Sequence, residues 1–254
     1  MYRRIKLKKF LSLLAYIVGL FLLVELSFLI INPPKYLLPS LNIIFESIVD
    51  NRLVISQNFL MTIFEIIIGF FIANALSLAL SVLIFLNKRF EKSIISLAIV
   101  IKTIPLVAIA PFLILFFGSD IVSKVIAVVL ICFFPSLINM IRGINSIPKE
   151  MQDIFSLYSA TKKDTIKYLV LPFTLPYLFS SLKTSSSLAV IGALVIEFIT
   201  VNSGIGFLII TGYYRLDIPF VYANIILISL SGVLFFYLIQ IIEYKVINWI
   251  NPTD

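Results

Sequence analysis

The sequence predicts an all-α polytopic membrane protein with six transmembrane helices, and three observations carry that prediction. Of the 254 residues, 61% are hydrophobic and only 13% charged, whereas a soluble domain runs nearer half apolar and a quarter charged. Mean hydropathy is +1.11. Six apolar runs fall at or above the lower limit of about 17 residues for a transmembrane helix. The basic residues gather in alternate connections between those runs. So few charges cannot coat a water-soluble core, which excludes a soluble enzyme, a nucleic-acid reader and a disordered tail. The net charge of +7 is therefore read as orientation in a bilayer, because Lys and Arg concentrate in cytoplasmic loops.

The first run, Phe10 to Ile31, follows Arg3, Arg4, Lys6, Lys8 and Lys9. It is longer than a signal-peptide core and no small-x-small cleavage site follows, so it is expected to be a retained first span. The remaining spans are expected at Phe59 to Leu86, Leu97 to Phe117, Ile121 to Ile141, Ser185 to Val201 and Pro219 to Ile242. With the N-terminus in the cytoplasm, residues 1–9, 87–96, 142–184 and 243–254 lie inside and hold fifteen of the 20 basic residues. Both termini are then cytoplasmic. No repeat or second domain interrupts the chain, which reads as one transmembrane domain over residues 1–254.

Histidine is absent and Cys132 is the single cysteine. That removes the commonest general base and zinc ligand, and any intrachain disulfide. No metal site and no catalytic constellation are expected. No G-x-x-x-x-G-K-[ST] loop is present to cradle nucleotide phosphates.

Two connections exceed simple turns. In the outer one, residues 32–58, Leu41, Ile44, Phe45 and Ile48 recur at helical spacing after Pro39-Ser40, the pattern of a short amphipathic surface helix. In the inner one, residues 142–184, Ser146 is placed to cap a helix with Pro148 in its first turn. Met151, Ile154, Phe155 and Tyr158 then form an apolar stripe at i, i+3, i+4 and i+7. Thr161-Lys162-Lys163-Asp164 has the form of a capping box that opens a second short helix running into Leu171-Pro172, with Pro176 beyond. The stripe must be buried against the membrane surface, the protein's own helices or a groove on a soluble partner. Spacing alone leaves all three open.

Asp153-Ile154-Phe155, then Ser159, then Leu171-Pro172 resembles the cytoplasmic "EAA" loop of ABC importer permeases. That loop has Glu-Ala-Ala, a glycine six residues after the Glu, and Leu-Pro ending nineteen residues after it. Asp153, Ser159 and Pro172 fall at the Glu, glycine and proline positions, while Ile154 and Phe155 depart from the two alanines. Lys102-Thr103-Ile104-Pro105, Ala108-Ile109-Ala110-Pro111 and Phe116-Phe117-Gly118 resemble a stretch of the nitrate/sulfonate/taurine class of these permeases. So do Phe133-Phe134-Pro135, and Glu197-Phe198 followed by Ser203-Gly204-Ile205-Gly206-Phe207-Leu208-Ile209. Leu38-Pro39-Ser40, Thr62 and Gly69-Phe70 also fall where that class has them, so the resemblance runs from Leu38 to Ile242.

The resemblance implies a type I ABC importer permease fold in the bacterial inner membrane. It implies a second permease copy (a homodimer by default), cytoplasmic ATPase subunits that hold ATP and Mg, and an external solute-binding protein. Solutes of the class include nitrate, sulfonates, taurine and vitamin precursors such as thiamine pyrimidines or flavins. An ATP-independent channel or facilitator built from the same six helices is the alternative.

On this reading Met151, Asp153, Ile154, Phe155, Tyr158, Ser159, Leu171 and Pro172 form the loop that couples to the ATPase. Lys102, Pro105, Pro111 and Glu197 are candidates for the pathway or its gating. Ser203, Gly204 and Gly206 are candidates for the outer mouth. An intramembrane carboxylate costs about 2.5–3.5 kcal/mol on insertion scales, so Glu197 is expected to face the bundle, water or a partner. Being acidic, it weighs against a strongly anionic solute at the midplane. Glu25 and Glu65 carry the same cost and are expected in structural contacts. Lys102 is expected near the cytoplasmic start of the third span, able to snorkel to the headgroups or attract an anionic solute. Pro105 and Pro111 are too close for an unbroken helix. Ser185, Ser186 and Ser187 either line the pathway or let helices approach.

Overall fold

The computed structural model describes residues 39–200 and 202–247. The expected first span, Phe10 to Ile31, and Glu25 lie outside the described residues. All regular structure among the described residues is helical.

Helix α1, Leu41–Asp50, is the amphipathic helix expected after Pro39-Ser40. Helix α2, Arg52–Leu86, starts seven residues before the expected span. At 35 residues it is about 52 Å long, longer than a hydrocarbon core of about 30 Å.

The third span is not one rod. Helix α3, Arg89–Thr103, and helix α4, Leu106–Phe117, meet at a bend of 95°. Ile104 precedes Pro105 and is extended, at φ −75° and ψ 119°. Clash with the proline ring disfavours the helical conformation at that position. The break therefore belongs to Pro105, while Pro111 sits inside α4.

Helix α5, Ile121–Asn145, runs four residues past the expected end. Helix α6, Lys149–Leu157, is short and amphipathic. The capping box forms as expected: Asp164 N donates to Thr161 Oγ1 and Thr161 N donates to Asp164 Oδ2, each at 3.2 Å. The short helix it opens, α7, Lys162–Thr165, does not stop at Leu171-Pro172. It passes through a π-turn, Ile166–Val170, into helix α8, Leu171–Glu197. Residues 171–184, expected in the inner loop, are thus helical. In α-geometry the Pro172 ring would meet the carbonyl of Tyr168; the wider π-turn spans that residue. Helix α9, Ile205–Tyr214, and helix α10, Ile218–Val246, complete the described residues.

Among the described residues four helical segments are long and apolar enough to cross a membrane, or five with the bent α3–α4 pair counted as one span, against the six expected. Helices α2, α5 and α8 form the centre. Asn74 on α2 ties them together: its Oδ1 accepts from Ser136 on α5 at 3.0 Å and from Ser181 and Ser185 on α8 at 3.0 and 3.3 Å. Cys132 donates to the Ser185 carbonyl at 3.3 Å. Ser185 and Ser186 are buried in packing, and Ser187 faces outward. Around this knot pack Ile66, Phe70, Val128, Ala189 and Ala193.

The contacts define two ends. At one, Phe85 of α2, Ile144 of α5 and Leu169 of the π-turn pack together, beside Lys88, which donates to Asn145 at 2.7 Å. This basic end carries α6. At the opposite end the start of α2, the start of α5, the end of α8 and the start of α9 converge.

Candidate functional site

The expected site residues fall into three places. At the basic end, Ser146 does not cap α6. It ends α5, donating through its hydroxyl to the Gly143 carbonyl at 2.7 Å, and Pro148 stands at the N-cap of α6 with extended geometry. Three residues between two helices leave room for one polar cap, and the preceding helix takes it. Helix α6 ends in a Schellman motif: Ala160 N donates to the Phe155 carbonyl and Ser159 N to the Ser156 carbonyl, both at 3.0 Å. That motif needs a left-handed residue, and Ser159 supplies it at φ 51°. The glycine of the resembled loop is at home in this conformation.

The stripe on α6 divides in two. Phe155 is half-buried and packs on Ile144, Ile147, Leu169 and Val170, so it seats the helix on the bundle. Met151, Ile154 and Tyr158 are exposed, Tyr158 to 84%, and Leu157 joins them at 81%. Asp153 is exposed beside them. Leu171 and Pro172 open α8 behind this face.

At the opposite end, Glu197 lies within the expected fifth span but is the last residue of α8, so its carboxylate sits at a helix end. It is fully buried. One oxygen accepts from Thr62 Oγ1 at 2.6 Å and the other from Gly206 N at 2.7 Å. Gly206 N belongs to the first turn of α9, where helix N–H groups lack intrahelical partners and favour an anion. Thr62 Oγ1 in turn accepts from Ile205 N at 2.9 Å, and Asn58 accepts from Gly204 N at 2.7 Å. Gly204 has φ 110° and ψ 166°, a region that essentially only glycine occupies. A Cβ there would lie 2.0 Å from Glu197 Oε1.

Next to this corner, Lys124 Nζ donates to Glu65 Oε1 at 3.0 Å, to the Ser203 carbonyl at 2.9 Å and to Ser203 Oγ at 3.0 Å. Lys124 and Glu65 had no motif to mark them. Their pairing across α2 and α5 follows from the cost of a lone buried charge, but no period in the sequence says which charges meet.

In the third place, Lys102 lies in the last turn of α3 with its ammonium 4.5 Å from the Phe134 ring centroid. Phe134 is at the middle of α5. Lys102 therefore stands near half-height beside the Pro105 break and does not reach the basic end as expected. Pro111 lies more than a turn further along α4 and is exposed. Among the described residues no group of three potential metal-ligating side chains comes together.

A helical bundle with four to five candidate membrane spans, a closed polar corner at one end and an exposed apolar helix at the basic opposite end has the build of a polytopic membrane protein. The chain belongs to the family of binding-protein-dependent transport system inner membrane components, whose model matches residues 65–248. It is 35% identical over 226 residues to the formylaminopyrimidine transport permease protein ThiX of Halalkalibacterium halodurans, covering 89% of this chain and 90% of that one. It is 34% identical to the riboflavin transport system permease protein RibX of Chloroflexus aurantiacus, over 58% of this chain and 55% of that one. It is 28% identical to the putative aliphatic sulfonates transport permease protein SsuC of Bacillus subtilis, over 76% and 70%. The chain is a transmembrane permease subunit of an ABC importer, an integral inner-membrane protein.

Proposed function

We propose that this permease pairs with a second copy, takes a solute from an external binding protein at the Gly204 corner, and releases it at the basic end. Cytoplasmic ATPase subunits, which hold ATP and Mg, drive the cycle through α6. The observation that carries this reading is the exposed apolar face of Met151, Ile154, Leu157 and Tyr158 on a helix fixed to the bundle by Phe155. An amphipathic helix displayed in this way fits the helix-in-groove mode of recognition. Bulky Ile154 at an alanine position calls for a groove shaped to it, hence a dedicated ATPase.

Orientation follows from charge. Lys88, Arg89, Lys92, Arg142, Lys149, Lys162 and Lys163 all cluster at the α6 end, which supports a cytoplasmic position for that end, with both termini on the same side in the proposed six-span topology. The proposed motion is alternating access: closure of the ATPases moves α6, and the tilt passes through α5 and α8 to the corner held by Glu197, Ser203, Gly204 and Gly206. The proposed solute is a vitamin precursor of the thiamine-pyrimidine or flavin kind, supported by the printed activities of ThiX and RibX.

The test is gentle purification of the tagged chain from native membranes with identification of what accompanies it. A stoichiometric P-loop ATPase is expected, and Ile154→Asp should lose it while still inserting. A homo-oligomer without ATPase that passes solute in liposomes would overturn the coupling role and favour a facilitator.

A further inference from the structure

Lys102 is a charge without a countercharge, exposed on the side of the bundle at the level of the middle of α5. Two lysines packed into the bundle are paired: Lys124 with Glu65 at 3.0 Å and Lys183 with Glu243 at 2.7 Å. No carboxylate pairs with Lys102 among the described residues, and its neighbour is the Phe134 ring. A lysine within a membrane span is costly, and such residues characteristically face a water-filled cavity or a partner and mark substrate paths.

Lys102 also lines a cavity of about 380 Å³ together with Ile101, Pro105, Ile109, Phe134 and Pro135. That volume lies within the range of small-molecule sites. The cavity lies where α3 and α4 diverge by 95° at Pro105, and many secondary transporters place their solute sites at such broken helices. The walls are aliphatic, aromatic and proline surface, with one ammonium as the polar group. A small inorganic oxyanion would leave its hydration shell for a single donor, which is unfavourable. A purely aliphatic solute would leave the ammonium unused. A flat ring satisfies both features: its faces lie on Phe134 and the prolines, while a ring nitrogen or carbonyl accepts from Lys102.

We propose that the cavity at the α3–α4 break is a solute site within the pathway, selective for a planar heteroaromatic ring with a hydrogen-bond acceptor, and that Lys102 and Phe134 hold that ring. This rests on the importer reading above. The earlier argument from Glu197 against negative charge at the midplane does not apply, because Glu197 is at the end of α8 and bound to Thr62 and Gly206.

The experiment is ATP-dependent uptake by the intact importer (this chain with its ATPase and binding protein) in proteoliposomes. The probes are formylaminopyrimidine and riboflavin as rings, and nitrate and an alkanesulfonate as non-ring solutes. Wild type should import a ring probe. Lys102→Met should lower kcat/KM at least tenfold and Phe134→Leu several-fold, with ATPase still co-purifying in full. Lys102→Arg should recover most of the loss, which a purely structural role would not require. Equal uptake by wild type and Lys102→Met overturns the proposal, as does an importer that moves only nitrate or sulfonate, or no ring probe at all. If Lys102→Met instead separates the permease pair, the cavity is a subunit interface and the proposal falls. Absence of any ATPase in the wild-type preparation is a different failure, that of the importer reading itself.

Discussion

Lys124 Nζ lies 3.0 Å from Glu65 Oε1 with the two side chains only 1% and 3% exposed. The same ammonium holds both oxygens of Ser203. One cation thus fastens α2, α5 and the turn that leads into α9. Removing one member of a buried pair is costly because the other charge is stranded, while replacing both by apolar groups is often near neutral. Lys124→Ala should therefore destabilise the subunit by about 3–5 kcal/mol, read as a lower thermal midpoint in nanodiscs. Glu65→Leu with Lys124→Met should return the midpoint close to the parent. Transport should stay impaired in the double variant, since Ser203 still lacks its donor.

Phe155 and Ile154 are adjacent on α6 but do different work. Phe155→Ala removes the side chain packed on Ile144, Ile147, Leu169 and Val170. A fully buried Phe→Ala change costs about 3–5 kcal/mol; a half-buried one should cost roughly half of that. The amides of residues 149–157 should then exchange faster with solvent, and ATPase retention should fall. Ile154→Asp should reduce retention with no change in amide exchange. Equal exchange in both variants would mean that Phe155 does not seat the helix.

These two cases mark what the sequence makes legible. The apolar runs, the basic-residue asymmetry and the stripe on α6 are properties of composition and period, and they locate spans, ends and surface helices. The inner helix ends were harder. Ser146 and Pro148 satisfy the rules for an N-cap, but the rules do not say which of two neighbouring helices receives the serine. Pro172 and Pro176 read as stops because a local rule cannot anticipate that a π-turn relieves the first. The partners of Glu65 and Glu197 were illegible for a different reason. Lys124 is 59 residues from Glu65, and Thr62 is 135 from Glu197. Only the packing of α2, α5 and α8 brings them together. Lys102 stands further from the basic end than expected because α3 begins at Arg89, eight residues before the expected start of the third span at Leu97, so Lys102 falls in its last turn.

Ser159 sits in the left-handed region at φ 51°, a conformation that costs a residue with a Cβ roughly 1–2 kcal/mol. Ser159→Gly should remove most of that cost and raise the thermal midpoint, with α6 kept in place and ATPase binding at least as strong. Ser159→Val should do the reverse, because a branched Cβ is a true outlier at this backbone angle. A lower midpoint for Ser159→Gly than for the parent would show that the serine hydroxyl matters more here than the backbone.

Gly118 and Gly204 share a positive φ, at 81° and 110°, but differ in surroundings. A Cβ on Gly118 meets nothing within 4 Å, whereas one on Gly204 lands on the Glu197 carboxylate at 2.0 Å. Gly118→Ala should therefore cost only backbone strain, about 1–3 kcal/mol. Gly204→Ala adds to that strain the displacement of Glu197 from Thr62 and from Gly206 N, so it leaves a buried carboxylate and a helix N-terminus unpaired together. An unsatisfied buried group costs about 1–3 kcal/mol, more when charged. The thermal midpoint should drop further for Gly204→Ala than for Gly118→Ala, and Thr62→Val should reproduce part of the larger loss by removing one of the two donors to Glu197. If both alanine variants shift the midpoint equally, the carboxylate is free to move aside, and the corner is held by Lys124 and Ser203 rather than by Glu197.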